Sequence, residues 1–184
     1  MSYQSVRASA RDILRSWSPA DESQDPLRLT YLSYLDAVPE AVQRECAAGH
    51  ITASALVCDL EERSVLLTLH PRIGRWVQLG GHCEAGDQSL TGAALREAQE
   101  ESGIDALLID PVPLQLHTHP LTCSGGVPTH HLDVQFLVRA TPGSTAHISD
   151  ESLDLDWFRF DELPHGVDDS VQQLVAAARV RLSS

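Results

Sequence analysis

With 184 residues, 42% of them hydrophobic, the chain is long enough for one domain with an appendage and can fill a core. Its formal charge of −13 argues against a nucleic-acid or membrane-surface binder, and all 13 basic residues are arginine, which excludes a lysine Schiff base and a Walker-type phosphate-loop lysine. No run approaches the roughly 20 apolar residues of a membrane span, and the start of the chain lacks the apolar stretch of a signal peptide, so a soluble cytoplasmic protein is expected.

The first 48 residues read as a helical arm. Val6, Ala10, Ile13, Leu14 and Trp17 recur at helical spacing until Ser18-Pro19 stops them. Asp25-Pro26 resembles an N-cap followed by proline at the first helical position, with Leu27, Tyr31, Leu32 and Leu35 facing inward. A short helix is expected from Pro39 to about Ala47, stopped by Gly49. From residue 49 the character changes. Ile51–Asp59 and Ser64–His70 are strand-like runs joined by the turn Leu60–Arg63, and Trp76–Leu79 is a short strand. A glycine-rich loop follows, then a helix over Ser89–Ser102 ended by Gly103. Further strands are expected at Leu114–His119, His131–Arg139 and Leu155–Phe160, with Pro120–Thr129 as a loop. A last helix starts at Ser170, with Gln173 at capping-box spacing and Val171, Leu174, Val175, Ala178 and Leu182 on its apolar face. This order suggests an α/β fold with a mixed sheet packed between helices. The four cysteines, Cys46, Cys58, Cys83 and Cys123, lack paired spacing and read as incidental thiols.

The helix over 89–102 is the informative one. Glu97 lies three residues before Glu100 and four before Glu101, so all three carboxylates share one face. Glu100 and Glu101 also sit in the last turn, where the helix dipole disfavours negative charge by roughly 0.3–1 kcal/mol each. A solvated acidic face is the plain alternative, yet the only opposite charge at helical spacing is Arg96, before Glu100, and nothing else local offsets the repulsion. A hard divalent cation bound through carboxylate oxygens would offset it.

The segment Gly80-Gly-His-Cys-Glu-Ala-Gly-Asp-Gln-Ser-Leu-Thr-Gly-Ala-Ala-Leu-Arg-Glu-Ala-Gln-Glu-Glu-Ser-Gly-Ile104 resembles the Nudix box, G-x5-E-x7-R-E-U-x-E-E-x-G-U with U aliphatic. Arg96-Glu97, Glu100-Glu101, Gly103, Ile104 and the leading Gly81 match it, and the likeness extends from about Ile51 to Leu163. The pattern departs at its first acid: Asp87 stands for glutamate and lies one residue too far from Arg96. Ala98 replaces a larger aliphatic residue. The resemblance implies a MutT-like Nudix α/β/α sandwich over 49–184, with residues 1–48 as a helical extension. It implies a metal-dependent hydrolase cleaving a diphosphate bond in a nucleotide-like small molecule. Mg²⁺ or Mn²⁺ would be held by Glu97, Glu100, Glu101 and the carbonyl of Gly80, with Arg96 orienting the carboxylates. Either Glu97, in the box, or Glu151, in Ser149-Asp-Glu151, would be the general base.

Substrate contacts are sought in His70, Arg72 and Arg75, which flank the strand leading to the box, and in Gly81. Ordinary surface arginines are the competing account of the hairpin residues. Trp76 is expected in the core rather than stacked on a base. His117, His119, His130, His131 and Asp133 form a second constellation; if their strands pair, His119 and His131 are neighbours, giving a transition-metal site, a substrate-facing patch or simply hydrogen-bonded strand histidines. Two other readings stand beside the enzyme. One is a non-catalytic nucleotide sensor on the same fold. The other makes the helical arm a homodimerisation element.

Overall fold

The computed structural model describes residues 3–122, 126, 128–149 and 152–183. Seven strands form one mixed sheet: β1 (His50–Asp59), β2 (Ser64–His70), β3 (Arg75–Val77), β4 (Leu79–His82), β5 (Leu107–Thr122), β6 (Pro128–Ala140) and β7 (Asp154–Arg159). The main order is β3-β2-β1-β6-β5, with β4 also paired to β1 and β7 to β2. Among the described residues β1 and β6 are the one parallel pair; Leu56 lies opposite Leu137 and Ala55 opposite Phe136. Alternation sends these two pairs to opposite faces. Helix α4 (Asp169–Ser183) packs Val171, Leu174, Val175 and Ala178 against Leu56, Cys58 and Leu137. Helix α3 (Leu90–Ser102) covers the other face, with Ala98 against Ala55, Val57 and Val138. The result is a three-layer α/β/α sandwich.

Helices α1 (Gln4–Ser16) and α2 (Asp25–Ala37) add to the α3 layer. Val6, Ala10, Leu14, Tyr31 and Leu35, all fully buried, join one cluster with Ile51, Leu90, Ala93 and Phe136. Polar contacts tie the arm down as well. Ser9 accepts the Leu90 N–H at the start of α3 (3.1 Å), and the Gln24 side chain accepts the Leu116 N–H (2.6 Å). The apolar faces of α1 and α2 are thus satisfied within the chain's own core.

Several expectations shift. Asp25 is the first residue of α2 rather than its cap, and pairs with Arg28 (2.7 Å). Residues 39–49 form successive turns in place of a helix: the Ala41 carbonyl accepts the Ile51 N–H (2.7 Å), which removes it from a helical ladder. The strand expected at 76–79 divides at Gln78, where the chain leaves β2 and crosses to β1, and the glycine-rich loop begins as strand β4. β5 and β6 are far longer than their apolar runs, pairing as far as Thr122 opposite Pro128, so residues 120–122 and 128–129 of the expected loop are strand. Pro111, Pro113 and Pro120 all lie within β5. β5 is a sheet edge with register shifts between Ile109 and Gln115, where a missing N–H is tolerated. At α4 the cap is Asp168, whose Oδ1 accepts the Val171 N–H (3.1 Å), rather than Ser170. Cys46, Cys58 and Cys83 are unpaired; burial pushes the thiols of Cys58 and Cys83 up to about 12, and Cys123 lies outside the described residues. No helix among the described residues is long and apolar enough to cross a membrane.

Candidate active site

Strand β4 and helix α3 bring the acidic residues together. Ser89 caps α3 by accepting the Gly92 N–H (2.9 Å), and Gly103, left-handed at φ 66°, ends it. The Gly103 stop matches the sequence reading, while Ser89 is the cap rather than the first helical residue; the glutamates fall on one face as the spacing requires.

Gly80 and Gly81 let that face come close. Gly80 has φ +141°, and a Cβ there would lie 2.5 Å from Ser54 Cα and 2.7 Å from the Ala53 carbonyl oxygen. Only glycine allows β4 to lie this close to β1. The Gly80 N–H donates to Glu101 Oε2 (2.9 Å). A Cβ on Gly81 would lie 2.7 Å from Glu97 Oε2 and 2.8 Å from both Oε1 and Cδ, so this glycine makes room for a carboxylate.

Arg96 organises the rest. All five of its N–H donors are used. Nε and Nη2 donate to the two Asp87 oxygens (3.1 and 3.2 Å), and Nη1 to Glu97 Oε1 (3.0 Å) and Glu100 Oε2 (2.9 Å). Nη2 also donates to the His82 carbonyl (2.9 Å). Burial works against the guanidinium charge, but the Asp87 hydrogen bonds and Glu97 outweigh it and raise the Arg96 pKa. Asp87, 8% exposed, also accepts the Glu84 N–H (2.7 Å). The departure at the first acid therefore has a definite structural role: the shorter Asp87 closes the loop before α3 and grips Arg96 in a bidentate pair. Sequence spacing had offered the glutamates a single opposite charge, Arg96 beside Glu100, too little to offset their repulsion. In the fold Arg96 reaches Glu97 as well as Glu100, and the Gly80 N–H meets Glu101.

The remaining candidates lie elsewhere. His70 and Arg75 face one another across β2 and β3, and Arg72 is exposed in the turn between them, its N–H donating to His70 Nδ1 (3.2 Å). Burial, then Arg72, lowers the His70 pKa. Trp76 packs edge-on against Phe158, with ring centroids 4.8 Å apart, as a core residue would. Glu151 lies outside the described residues. A cavity over Asp59, Glu61, Glu62 and Arg159 opens at the far end of β1 from β4, and its three acids make it a poor host for a diphosphate.

The second constellation also assembles, with different members. His119 does face His131 (centroids 5.1 Å), and His117 stacks on His119 (5.5 Å). His130 is exposed, and alternation places it on the other face. His50 and His82, to which no spacing in the chain had pointed, complete the group: β1 sets His50 opposite His131, and β4 sets His82 opposite Thr52. On the same face the buried Asp133 accepts hydrogen bonds from Thr52 and Ser54 (2.9 Å each) and from Gln135 (2.9 Å).

With this geometry in hand, the comparisons agree on one family. The model of the NUDIX domain matches residues 49–177. No curated protein matches the chain. Among solved structures, it is similar to a NUDIX-family hydrolase from Clostridium perfringens, with 23% identity and a TM-score of 0.57 over 73% of this chain and 98% of that one. It is similar to an Ap4A hydrolase from C. elegans, with 19% identity and a TM-score of 0.58 over 72% and 97%. A MutT NUDIX hydrolase from Burkholderia pseudomallei gives 20% identity and a TM-score of 0.53 over 70% and 97%.

Proposed function

Because the chain belongs to the NUDIX domain family, we propose that it is a metal-dependent pyrophosphohydrolase, cleaving a diphosphate bond in a nucleoside diphosphate-linked or related small molecule. The observation that carries this reading is the set Glu97, Glu100 and Glu101 on one face of α3, gathered by Arg96 and the Gly80 N–H beside a glycine that leaves no room for a side chain. The donor set fits a hard divalent cation: three carboxylates within one helical turn, next to the strand that carries the Gly80 carbonyl. Bound there, Mg²⁺ or Mn²⁺ would neutralise phosphoryl oxygens and acidify a coordinated water.

The chain's own groups do the rest. Arg96 holds Glu97 and Glu100 in fixed rotamers, so little reorganisation is needed when the substrate arrives. Glu97, pressed against Gly81, serves as general base and takes the proton of the attacking water; Glu151 is the second candidate for that role. Arg72, Arg75 and His70, on the β2–β3 hairpin, meet the anionic substrate. A sensor without catalysis would be favoured by a defective first acid, but Asp87 retains a bidentate partner in Arg96, which supports the enzyme.

The test is phosphate and nucleotide release from a panel of diphosphate compounds, with Mg²⁺ or Mn²⁺ and with chelator. Turnover should need the metal and fall by about two orders of magnitude or more in Glu100→Gln and Glu101→Gln. Turnover unaffected by chelator and by both substitutions refutes the reading. Binding without turnover in the wild type establishes the sensor instead.

A further inference from the structure

Three histidines from three strands, His50 on β1, His82 on β4 and His131 on β6, converge at one end of the sheet. Their ring centroids form a nearly equilateral triangle: His50–His82 5.1 Å, His50–His131 4.9 Å and His82–His131 4.9 Å. One ring nitrogen of each lies within 4.8 Å of the other two. His82 Nε2 and His131 Nε2 face each other at 3.1 Å.

We propose that His50, His82 and His131 form a binding site for a transition-metal ion of the zinc class, distinct from the glutamate cluster on α3. Zn–N bonds of about 2.0–2.1 Å in a tetrahedron set nitrogens about 3.3 Å apart and imidazole centroids about 5 Å apart. The three centroid separations match, as does the 3.1 Å between the His82 and His131 nitrogens, and small ring rotations would close the rest.

His50 gives an independent sign. It is 1% exposed, and its Nε2 meets no hydrogen-bond partner among the described residues. Its Nδ1 lies 3.3 Å from the Cys46 carbonyl. A donated Nδ1–H leaves the Nε2 lone pair free, the arrangement that carbonyl partners impose on metal-ligating histidines. Gly49 makes the placement possible: at φ +143° it brings the chain so close to β6 that a Cβ would lie 3.2 Å from the His130 carbonyl oxygen.

The alternatives explain less. A phosphate-binding patch would present N–H donors outward to the ligand, whereas here the rings turn toward one another, with His82 Nε2 and His131 Nε2 3.1 Å apart and His50 Nε2 buried. Imidazole lone pairs converging in this way suit a borderline cation. A plain hydrogen-bonded cluster accounts for the His82–His131 contact and leaves His50 Nε2 unexplained. Mg²⁺ is not the ligand, since it prefers oxygen donors. Three protein ligands leave a fourth position for water or an oxygen of a bound molecule, with the His119 ring beside His131.

The test uses untagged full-length protein in excess Mg²⁺, titrated with Zn²⁺ against a chromophoric chelator. One equivalent should bind, and affinity should fall about 100-fold or more in His50→Gln and in His131→Gln, with Glu100→Gln unaffected. Folding of each variant is checked by far-ultraviolet circular dichroism. X-ray absorption at the zinc edge of the wild type, which needs no variant, should show scattering from imidazole rings. Zinc held in an oxygen-only shell, or unchanged binding in a folded histidine variant, overturns the proposal. So does weak non-stoichiometric binding by the wild type.

Discussion

Replacing Gly81 by alanine adds one methyl group where β4 meets Glu97. That methyl would lie 2.7–2.8 Å from the carboxylate atoms, and ordinary contact begins at 3.4 Å, so the carboxylate must retreat by about 0.7 Å. The obstacle is the end of a flexible side chain and Gly81 is not at positive φ, so the fold survives. Alanine even restricts the unfolded chain, worth about 0.4–1 kcal/mol, against a similar loss from the Arg96–Glu97 contact. The melting temperature should therefore move by only a few degrees. Activity should not be spared: a displacement approaching 1 Å in a catalytic constellation costs on the order of 10- to 100-fold. Gly80→Ala, one residue earlier, should do the opposite kind of damage. Its methyl would meet Ser54 Cα at 2.5 Å, backbone that cannot step aside, at φ +141°. Overpacking and backbone strain together cost about 2–6 kcal/mol, lowering the melting temperature by roughly 5–20 °C. Calorimetry and Mg²⁺-dependent diphosphate hydrolysis on both variants read the contrast. A Gly81→Ala protein that keeps wild-type turnover would refute the placement of Glu97 in the site, and an undiminished melting temperature for Gly80→Ala would refute the packing argument.

Three further outcomes are expected. Asp87→Asn removes one of the two Asp87 acceptors and the most buried of the three carboxylate charges around Arg96, leaving it Glu97 and Glu100; stability should drop by about 1–3 kcal/mol by urea titration, and turnover should fall because Arg96 positions Glu97 and Glu100. Asp168→Ala removes the α4 cap and should cost about 0.5–2 kcal/mol at pH 7. Burial raises the Asp168 pKa, but the Ser170 and Val171 hydrogen bonds outweigh it and the net shift is downward. Its contribution is therefore complete above the unfolded value of 3.8 and lost as pH falls through the folded one, so denaturation of wild type and variant should converge near the acid end. Deleting residues 1–48 strips Val6, Ala10, Leu14, Tyr31 and Leu35 from the cluster around Phe136 and should give an insoluble or molten product; a well-folded truncated domain with a sharp melting transition would contradict the shared core.

The features readable from the chain alone are mostly local. Helix α3 was legible because its glycine stop and the spacing of Glu97, Glu100 and Glu101 are settled within a few residues. The apolar stripes of α1, α2 and α4 were legible for the same reason, through helical periodicity. The tertiary structure decided what depends on distant partners. Gly80 and Gly81 belong to a strand because β1 pairs with them, and β5 extends through its prolines because β6 lies alongside. Arg96 finds Asp87 nine residues away through the fold of a loop. His50, His82 and His131 meet only because strand registers are set by non-local pairing, and a slip of one residue would turn each of them to the other face.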